Sequence, residues 1–255
     1  MTGSVRIALA QLLPAWEDPG ANLAAIDGAA ERAADAGADL VVFPEQVLFG
    51  WDPKSVAGAE PVGGPLTQAL RAVARRYAIG LVGSIRESST DGVRNTAIAI
   101  DASGAIDAVY AKQHLFAFGG EEVRYVPGTG MAIFDCGGLR MGLAICYDLR
   151  FPAVFAAYRG LGADAVLVPA AWPCARLSHW RLFLCARALD NRIFVAGASY
   201  AVGATPIEAY CGGSLAADPE GEILVEAGAG PELLIAELDA GAIGAARAGP
   251  DPAGR

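Results

Sequence analysis

Lysine is almost missing from this 255-residue chain: Lys54 and Lys112 are the only two, and every other basic residue is arginine. Basic charge is short altogether, with 19 Lys and Arg against 28 Asp and Glu and a formal net charge of −9. Phosphate contacts need clustered positive charge, so nucleic-acid binding as the main activity is disfavoured. Histidine is scarce too, with His114 and His179 alone, and the five cysteines (Cys136, Cys146, Cys174, Cys185, Cys211) include no CxxC pair. An odd set of unclustered cysteines predicts neither a zinc site nor a disulfide framework, and the expectation is five reduced thiols. No stretch approaches the roughly 18 uninterrupted apolar residues of a spanning helix. The opening MTGSVRIALAQ also lacks the basic-then-apolar order of a secretory signal, so the chain reads as cytoplasmic, without a membrane partner.

What the chain does contain is apolar surface. Hydrophobic residues make up 54% and charged residues 18%, and the mean hydropathy is +0.37. Such composition buries a large core and excludes disorder as a whole-chain description. No linker, repeat or charge run divides it, which predicts a single domain over 1–240 and a loose Gly/Pro-rich tail over 241–255. Short β-branched runs alternate with amphipathic segments. VRIALAQ (5–11), ADLVVFPE (38–45) and ADAVLVPAA (163–171) read as strands, whereas 21–37, 65–78, 151–162 and 176–191 carry helical spacing. Pairs such as 94–101 with 104–112 and 131–138 with 139–148 read as hairpins. Two or three further strands close the chain after 210. This mixed order predicts an α/β domain of two sheets with helices on the outer faces.

Ligands in α/β folds gather where strands end at their carboxyl side. Three reactive side chains stand there: Glu45 ends DLVVFPE, Lys112 ends AIDAVYAK, and Cys146 ends MGLAIC. Singly each has a structural explanation, as a turn carboxylate, an exposed ammonium and a core thiol. Together they have a chemical logic. A thiol needs a base or nearby cation to become a nucleophile. Glu45 can take its proton, and Lys112 with the N–H of Tyr147 can hold the oxyanion of a tetrahedral intermediate. Retaining lysine at this one position in an arginine-rich chain fits a need for a compact ammonium. A Cys–His arrangement using His114 or His179 remains open on spacing alone.

These residues lie in blocks that resemble the carbon–nitrogen hydrolase (nitrilase) superfamily from Val5 to about Asp239. The blocks are IALAQLLP with Asn22, DLVVFPE, YAKQHLF, GGEEVRYVPG, GLAICYDLRFP, AAWPCARLSHWRLFLCARALDN and YCGGS. The resemblance implies a four-layer α-β-β-α sandwich that dimerises into an eight-layer one. It also implies cysteine-dependent hydrolysis of a small-molecule amide, without a metal or organic cofactor. Glu45 is then the general base, Lys112 the oxyanion-stabilising cation and Cys146 the nucleophile. A second glutamate, Glu121 by alignment on Pro127–Gly128 with Glu122 the alternative, positions substrate and water. CYDLRFP, KQHLF and AWPCARLSHW look like the omega-amidase branch, which acts on 2-oxoglutaramate or 2-oxosuccinamate. They look nearly as much like the amidase of deaminated glutathione; carbamoylase and nitrilase chemistry on the same triad, or a catalytically silent binding subunit, are further alternatives. A carboxylate-bearing substrate needs cationic partners, for which Arg150, Arg176 and Arg124 are candidates. Phe116, Tyr147 and Trp172 are candidate apolar walls. After RIFVAG the segment ASYAVGATPIE departs from the family's usual polar turn, so it is the place where specificity is not legible from the resemblance.

Overall fold

Alternation along the first strand sets the layering. In β1 (Ser4–Gln11) Val5, Ile7 and Leu9 face one side while Ala8 and Ala10 face the other, all fully buried. A strand buried on both faces needs a layer on each side. In the computed structural model, which describes residues 3–249, the first of those layers is helical. Helix α1 (Pro19–Asp35) is started by Pro19 and by the Asp18 carboxylate, which accepts from the N–H of Ala21 at 3.0 Å. This cap places the start two residues ahead of the spacing-based estimate. Strand β2 (Leu40–Val42) follows, then α2 (Pro65–Tyr77), β3 (Gly80–Ser89), β4 (Gly92–Ile100) and β5 (Ile106–Ala111). Ile26, Ala29 and Ala33 of α1 and Leu70 and Val73 of α2 pack on the Ala8, Val41 and Leu81 face of this sheet.

The second half repeats the plan. Strands β6 (Ile133–Cys136) and β7 (Leu139–Leu143) lead through α3 (Pro152–Gly160) to β8 (Ala165–Pro169), then through α4 (Leu177–Asn191) to β9 (Phe194–Ala198). A two-residue hairpin, β10 (Gly203–Ala204) with β11 (Ala209–Tyr210), precedes β12 (Leu215–Ala217) and β13 (Ile223–Glu226). Strand β14 (Glu232–Asp239) then crosses back to pair antiparallel with β1 along its whole length. The sheet orders are β14-β1-β2-β3-β4-β5 and β13-β12-β9-β8-β7-β6. Val5, Ile7, Leu9 and Val82 of one sheet meet Met141, Leu143 and Leu215 of the other in a shared core, with Phe155, Tyr158, Trp180 and Leu184 of α3 and α4 in the same cluster. The four-layer α-β-β-α order expected from the sequence is therefore present. Gly197 allows the close approach of α4, since a Cβ there would strike the Trp180 ring.

Three expectations need correction. The tail is not loose from 241 onward: Ala240–Ala248 forms α5, because the Asp239 carboxylate caps Gly241 N–H at 2.8 Å and Ile243 and Ala246 are buried. The rest of that tail, 250–255, lies outside the described residues. The β10–β11 hairpin falls inside ASYAVGATPIE and its neighbours, where no strand is expected; two-residue strands carry too little pattern to read. The thiols are not all reduced either. Cys174 and Cys211, 37 positions apart, form a disulfide with Cα atoms 4.9 Å apart, and Cys136, Cys146 and Cys185 are free. Among the described residues no helix is long and apolar enough to cross a membrane.

Candidate active site

Strands β2, β3 and β5 run in the same direction in the first sheet, as β7, β8 and β9 do in the second. Their carboxyl ends meet at one rim of the sandwich. Glu45 lies three residues beyond β2, Lys112 directly after β5 and Cys146 three residues beyond β7. The two sheets are tied at this point, because Ala171 N–H, beyond β8, donates to Glu45 Oε2 at 3.0 Å.

Lys112 Nζ donates to Glu45 Oε1 at 2.9 Å and to Glu121 Oε1 and Oε2 at 3.1 and 2.9 Å. Asn95 Nδ2, on β4, donates to Glu45 Oε1 at 2.7 Å and Glu121 Oε1 at 3.1 Å. Phe116 N–H donates to Glu121 Oε2 at 2.7 Å. Glu45, Asn95, Lys112 and Glu121 are all at most 1% exposed. Of the two candidate second glutamates, Glu121 is thus inside this network and Glu122 is exposed. Three charges and an amide packed this closely hold each other in a single arrangement, since every donor has a carboxylate to meet.

Cys146 begins a 3-10 turn, Cys146–Arg150, with φ at 44°, a left-handed conformation that is costly for a side-chain-bearing residue. Asp148 fixes that turn. Its Oδ2 accepts from Ile145 N–H at 3.0 Å and from the Tyr110 hydroxyl at 2.8 Å, and its Oδ1 accepts from His114 N–H at 2.9 Å. The cysteine turn and the segment leaving Lys112 are therefore held by one carboxylate. N–H groups at the start of a helical turn have no acceptor within it, which leaves Tyr147 N–H available as an anion donor.

Burial raises the Glu45 carboxyl from its ordinary value of 4.5, against the lowering pull of Lys112. Burial also opposes charge on Lys112, but Glu121 and Glu45 together outweigh it and hold the ammonium well above 10.5. The Cys146 thiol is pushed well above 9.0, first by burial and then by the Glu45 charge, with Lys112 partly offsetting both. At neutral pH the resting site therefore holds a neutral thiol beside Glu45, whose charged form burial opposes and Lys112 favours. Accordingly, kcat/KM should climb with pH through a Glu45 limb lying above 4.5 and then stay flat up to about pH 9. Initial rates across buffers test this. An alkaline fall between about 6 and 8, where an imidazole titrates, would contradict it.

A narrow chamber of about 30 Å³ opens over Cys146 and Lys112. The candidates Phe116, Tyr147, Arg150, Trp172 and Arg176 all line it, together with Trp51 and Glu208, which the sequence did not single out. Arg124 does not: it is exposed and closes the short turn Glu121–Val123, donating to Glu121 O at 3.1 Å. Neither histidine lines the chamber. His114 Nδ1 lies 2.9 Å from Asp148 Oδ1 and its ring stacks on Phe151, while His179 Nδ1 lies 3.3 Å from Arg150 Nη2. Both histidines thus have partners other than Cys146, Asp148 and Phe151 for one and Arg150 for the other. The Arg150 guanidinium sits 5.1 Å from the Trp172 ring centroid and that of Arg176 5.7 Å from Phe116. Outside the chamber a vestibule of about 410 Å³ shares Trp51, Phe116, Arg176 and Glu208 with it and adds Lys54. Among the described residues no cluster of three or more His, Cys, Asp or Glu side chains could hold a metal ion.

Comparison with known proteins agrees with this geometry. The carbon–nitrogen hydrolase family model matches residues 6–248. A hydrolase of Mycobacterium tuberculosis is 40% identical over 259 residues, covering 95% of this chain and 92% of that protein. The 2-oxoglutaramate amidase of Bacillus subtilis is 33% identical over 204 residues, covering 79% and 78% respectively. Among solved structures, a carbon–nitrogen hydrolase superfamily protein from Xanthomonas campestris, carrying an arsenic adduct in its active site, superposes with a TM-score of 0.90. It is 31% identical, and the match covers 96% of this chain and 94% of that one.

Proposed function

Because the chain belongs to the carbon–nitrogen hydrolase family, whose members hydrolyse carbon–nitrogen bonds other than peptide bonds, we propose that it cleaves the terminal amide of a small carboxylate-bearing acid. The substrate class is the omega-amide of a 2-oxo acid, such as 2-oxoglutaramate, and the route is a thioester on Cys146. Glu45 takes the thiol proton as Sγ attacks the amide carbon. Lys112 and Tyr147 N–H hold the resulting oxyanion. Collapse passes the proton from Glu45 to the departing nitrogen, and ammonia leaves. Water then enters and attacks the thioester carbon as Glu45 takes one of its protons and Glu121 orients it; the C–S bond breaks, Glu45 returns the proton to Sγ, and the acid is released. Glu121 acts through the geometry of the site rather than as a nucleophile, since both its oxygens already accept from Lys112.

The observation that carries the substrate class is charge. Arg150 and Arg176 border the chamber, and among the described residues neither has a carboxylate within 4.0 Å. Two half-buried guanidinium groups against one lining carboxylate, Glu208, leave the chamber with a net positive wall that favours an anionic ligand. A chamber this narrow has room for a carboxamide, leaving the acid end to reach the arginines. An ammonia-release panel of 2-oxo-acid omega-amides, N-carbamoyl amines, neutral aliphatic amides and nitriles tests the reading. The first class should show the highest kcat/KM. Arg150→Gln and Arg176→Gln should each raise KM for it by about tenfold or more, as loss of a charge-assisted hydrogen bond does, with little effect on a neutral amide. Equal efficiency on the neutral amide would count against the proposal. The vestibule and its Lys54 favour a second reading, a longer substrate of the deaminated-glutathione kind, which the same panel can include.

A further inference from the structure

The Cys174–Cys211 disulfide fastens together two walls of the substrate chamber. Cys174 opens a short 3-10 turn that ends in Arg176, directly after the chamber residues Trp172 and Pro173. Cys211 directly follows β11, whose hairpin carries Glu208 on the opposite wall. Other contacts hold only the base of that hairpin. Tyr210 is buried with Trp51 and Tyr200 and bridges to Pro173, and Val202 N–H donates to Ala229 O at 2.6 Å. The tip, Thr205 to Glu208, is closed by its own turn, with Thr205 N–H donating to Glu208 O at 3.0 Å. The Arg176 and Glu208 walls are therefore tied at two adjacent points, the Pro173–Tyr210 bridge and the disulfide, and only the disulfide is covalent and reducible. The network of Glu45, Asn95, Lys112 and Glu121 uses neither cysteine. Both cysteines are partly buried rather than sealed in the core, and exposed Ala175 lies beside Cys174.

We propose that Cys174 and Cys211 are a redox modification site that sets substrate affinity: bridged, they hold the chamber entrance in its binding shape, and a dithiol reductant releases it. The proposal rests on the amidase reading above. One thiolate of the dithiol attacks a bridge sulfur, the S–S bond breaks, and the other sulfur leaves as a thiolate and takes a proton. The second thiol of the reductant then attacks its own sulfur in the mixed disulfide and expels the remaining cysteine. Two electrons pass to the bridge, the chain gains two thiols, and the reductant becomes a disulfide. Cys146 takes no part.

The test compares wild-type protein equilibrated with oxidised glutathione, the same protein reduced with dithiothreitol, and the double variant C174S/C211S. Thiol titration after denaturation should count three free thiols in the bridged form, matching Cys136, Cys146 and Cys185. With the bridge opened, KM should rise about fivefold while kcat stays within about twofold, the pattern expected when preorganised binding is lost and chemistry is not. The double variant should sit at the higher KM and ignore dithiothreitol. Should it fold poorly, the two wild-type forms alone decide. Equal KM in those forms, or five thiols after the oxidising treatment, would overturn the proposal. Running a 2-oxo-acid omega-amide and a neutral amide side by side separates the two ideas. Turnover of the neutral amide alone, with a redox-dependent KM, removes the carboxylate reading and keeps the switch; turnover of the omega-amide with a redox-independent KM does the reverse.

Discussion

Cys146→Ala is expected to abolish ammonia release from every amide the wild-type chain hydrolyses, by on the order of 10⁴-fold or more, the scale on which loss of a nucleophile acts. The fold should survive. Only Sγ is removed from a residue 8% exposed, and one buried heavy atom costs about 1 kcal/mol. The left-handed φ of 44° is no harder for alanine than for cysteine, so the substitution adds no backbone strain. The turn itself is held by Asp148 through Ile145 N–H and Tyr110, not by the thiol. Circular dichroism and the thermal midpoint should therefore stay close to wild type while the ammonia assay falls to background. Cys146→Ser should behave alike, because a hydroxyl is a far weaker nucleophile than a thiol beside the same carboxylate. Residual turnover within a hundredfold of wild type in the alanine variant would remove the thioester route.

How much of this site could be read beforehand follows from where each residue sits. Glu45 and Cys146 end largely buried runs and Lys112 ends an edge strand with one buried face, so their polarity at the strand end was legible without a partner being known. Glu121 was reachable only through resemblance, because two adjacent glutamates in a loop differ in burial only after the chain has folded. Asn95 escaped notice. It stands inside β4, in the run RNTAIAI, and contacts residues 50 and 26 positions away. Its signal was a side chain that both donates and accepts, at a buried position just ahead of the apolar run AIAI. Trp51 and Glu208 lie on irregular segments, whose course is set by tertiary contacts such as Trp51 N–H donating to the Tyr200 hydroxyl at 2.7 Å. The disulfide was invisible for the same reason. Five cysteines allow many pairings and the sequence favours none, and only the packing of the Pro173 segment against Tyr210 brings these two sulfurs together. Helix α5 was hidden by Gly241, Gly244 and the prolines beyond them; burial of Ile243 and Ala246 outweighed that low propensity.

Substitutions at Lys112 should separate charge from shape. In Lys112→Arg the charge is kept, but a planar fork must fit a space that is 1% exposed and already touches Glu45 Oε1 and both Glu121 oxygens. The guanidinium would pair bidentately with one carboxylate and draw charge away from the oxyanion position. A loss of on the order of 10²- to 10³-fold in kcat, the cost of one oxyanion donor, is expected. Stability should fall by only about 1–3 kcal/mol, from overpacking. Lys112→Met removes the charge and leaves Glu45 and Glu121 buried together, with only Asn95 between them. Breaking a buried pair in this way costs about 3–5 kcal/mol. The pH dependence gives the sign. A carboxyl whose folded pKa is raised is protonated in the fold while still ionised in the unfolded chain, so stability falls as pH rises from the unfolded value towards the folded one. Glu45 is already raised above 4.5 with Lys112 present, and losing that cation raises it further. The methionine variant should thus lie nearest to wild type in urea midpoint at about pH 4.5 and furthest from it at neutral pH. A near-wild-type rate in Lys112→Arg would mean that a compact ammonium is not what holds the oxyanion. A pH-independent stability gap in Lys112→Met would mean that Glu45 does not rely on it for its charge.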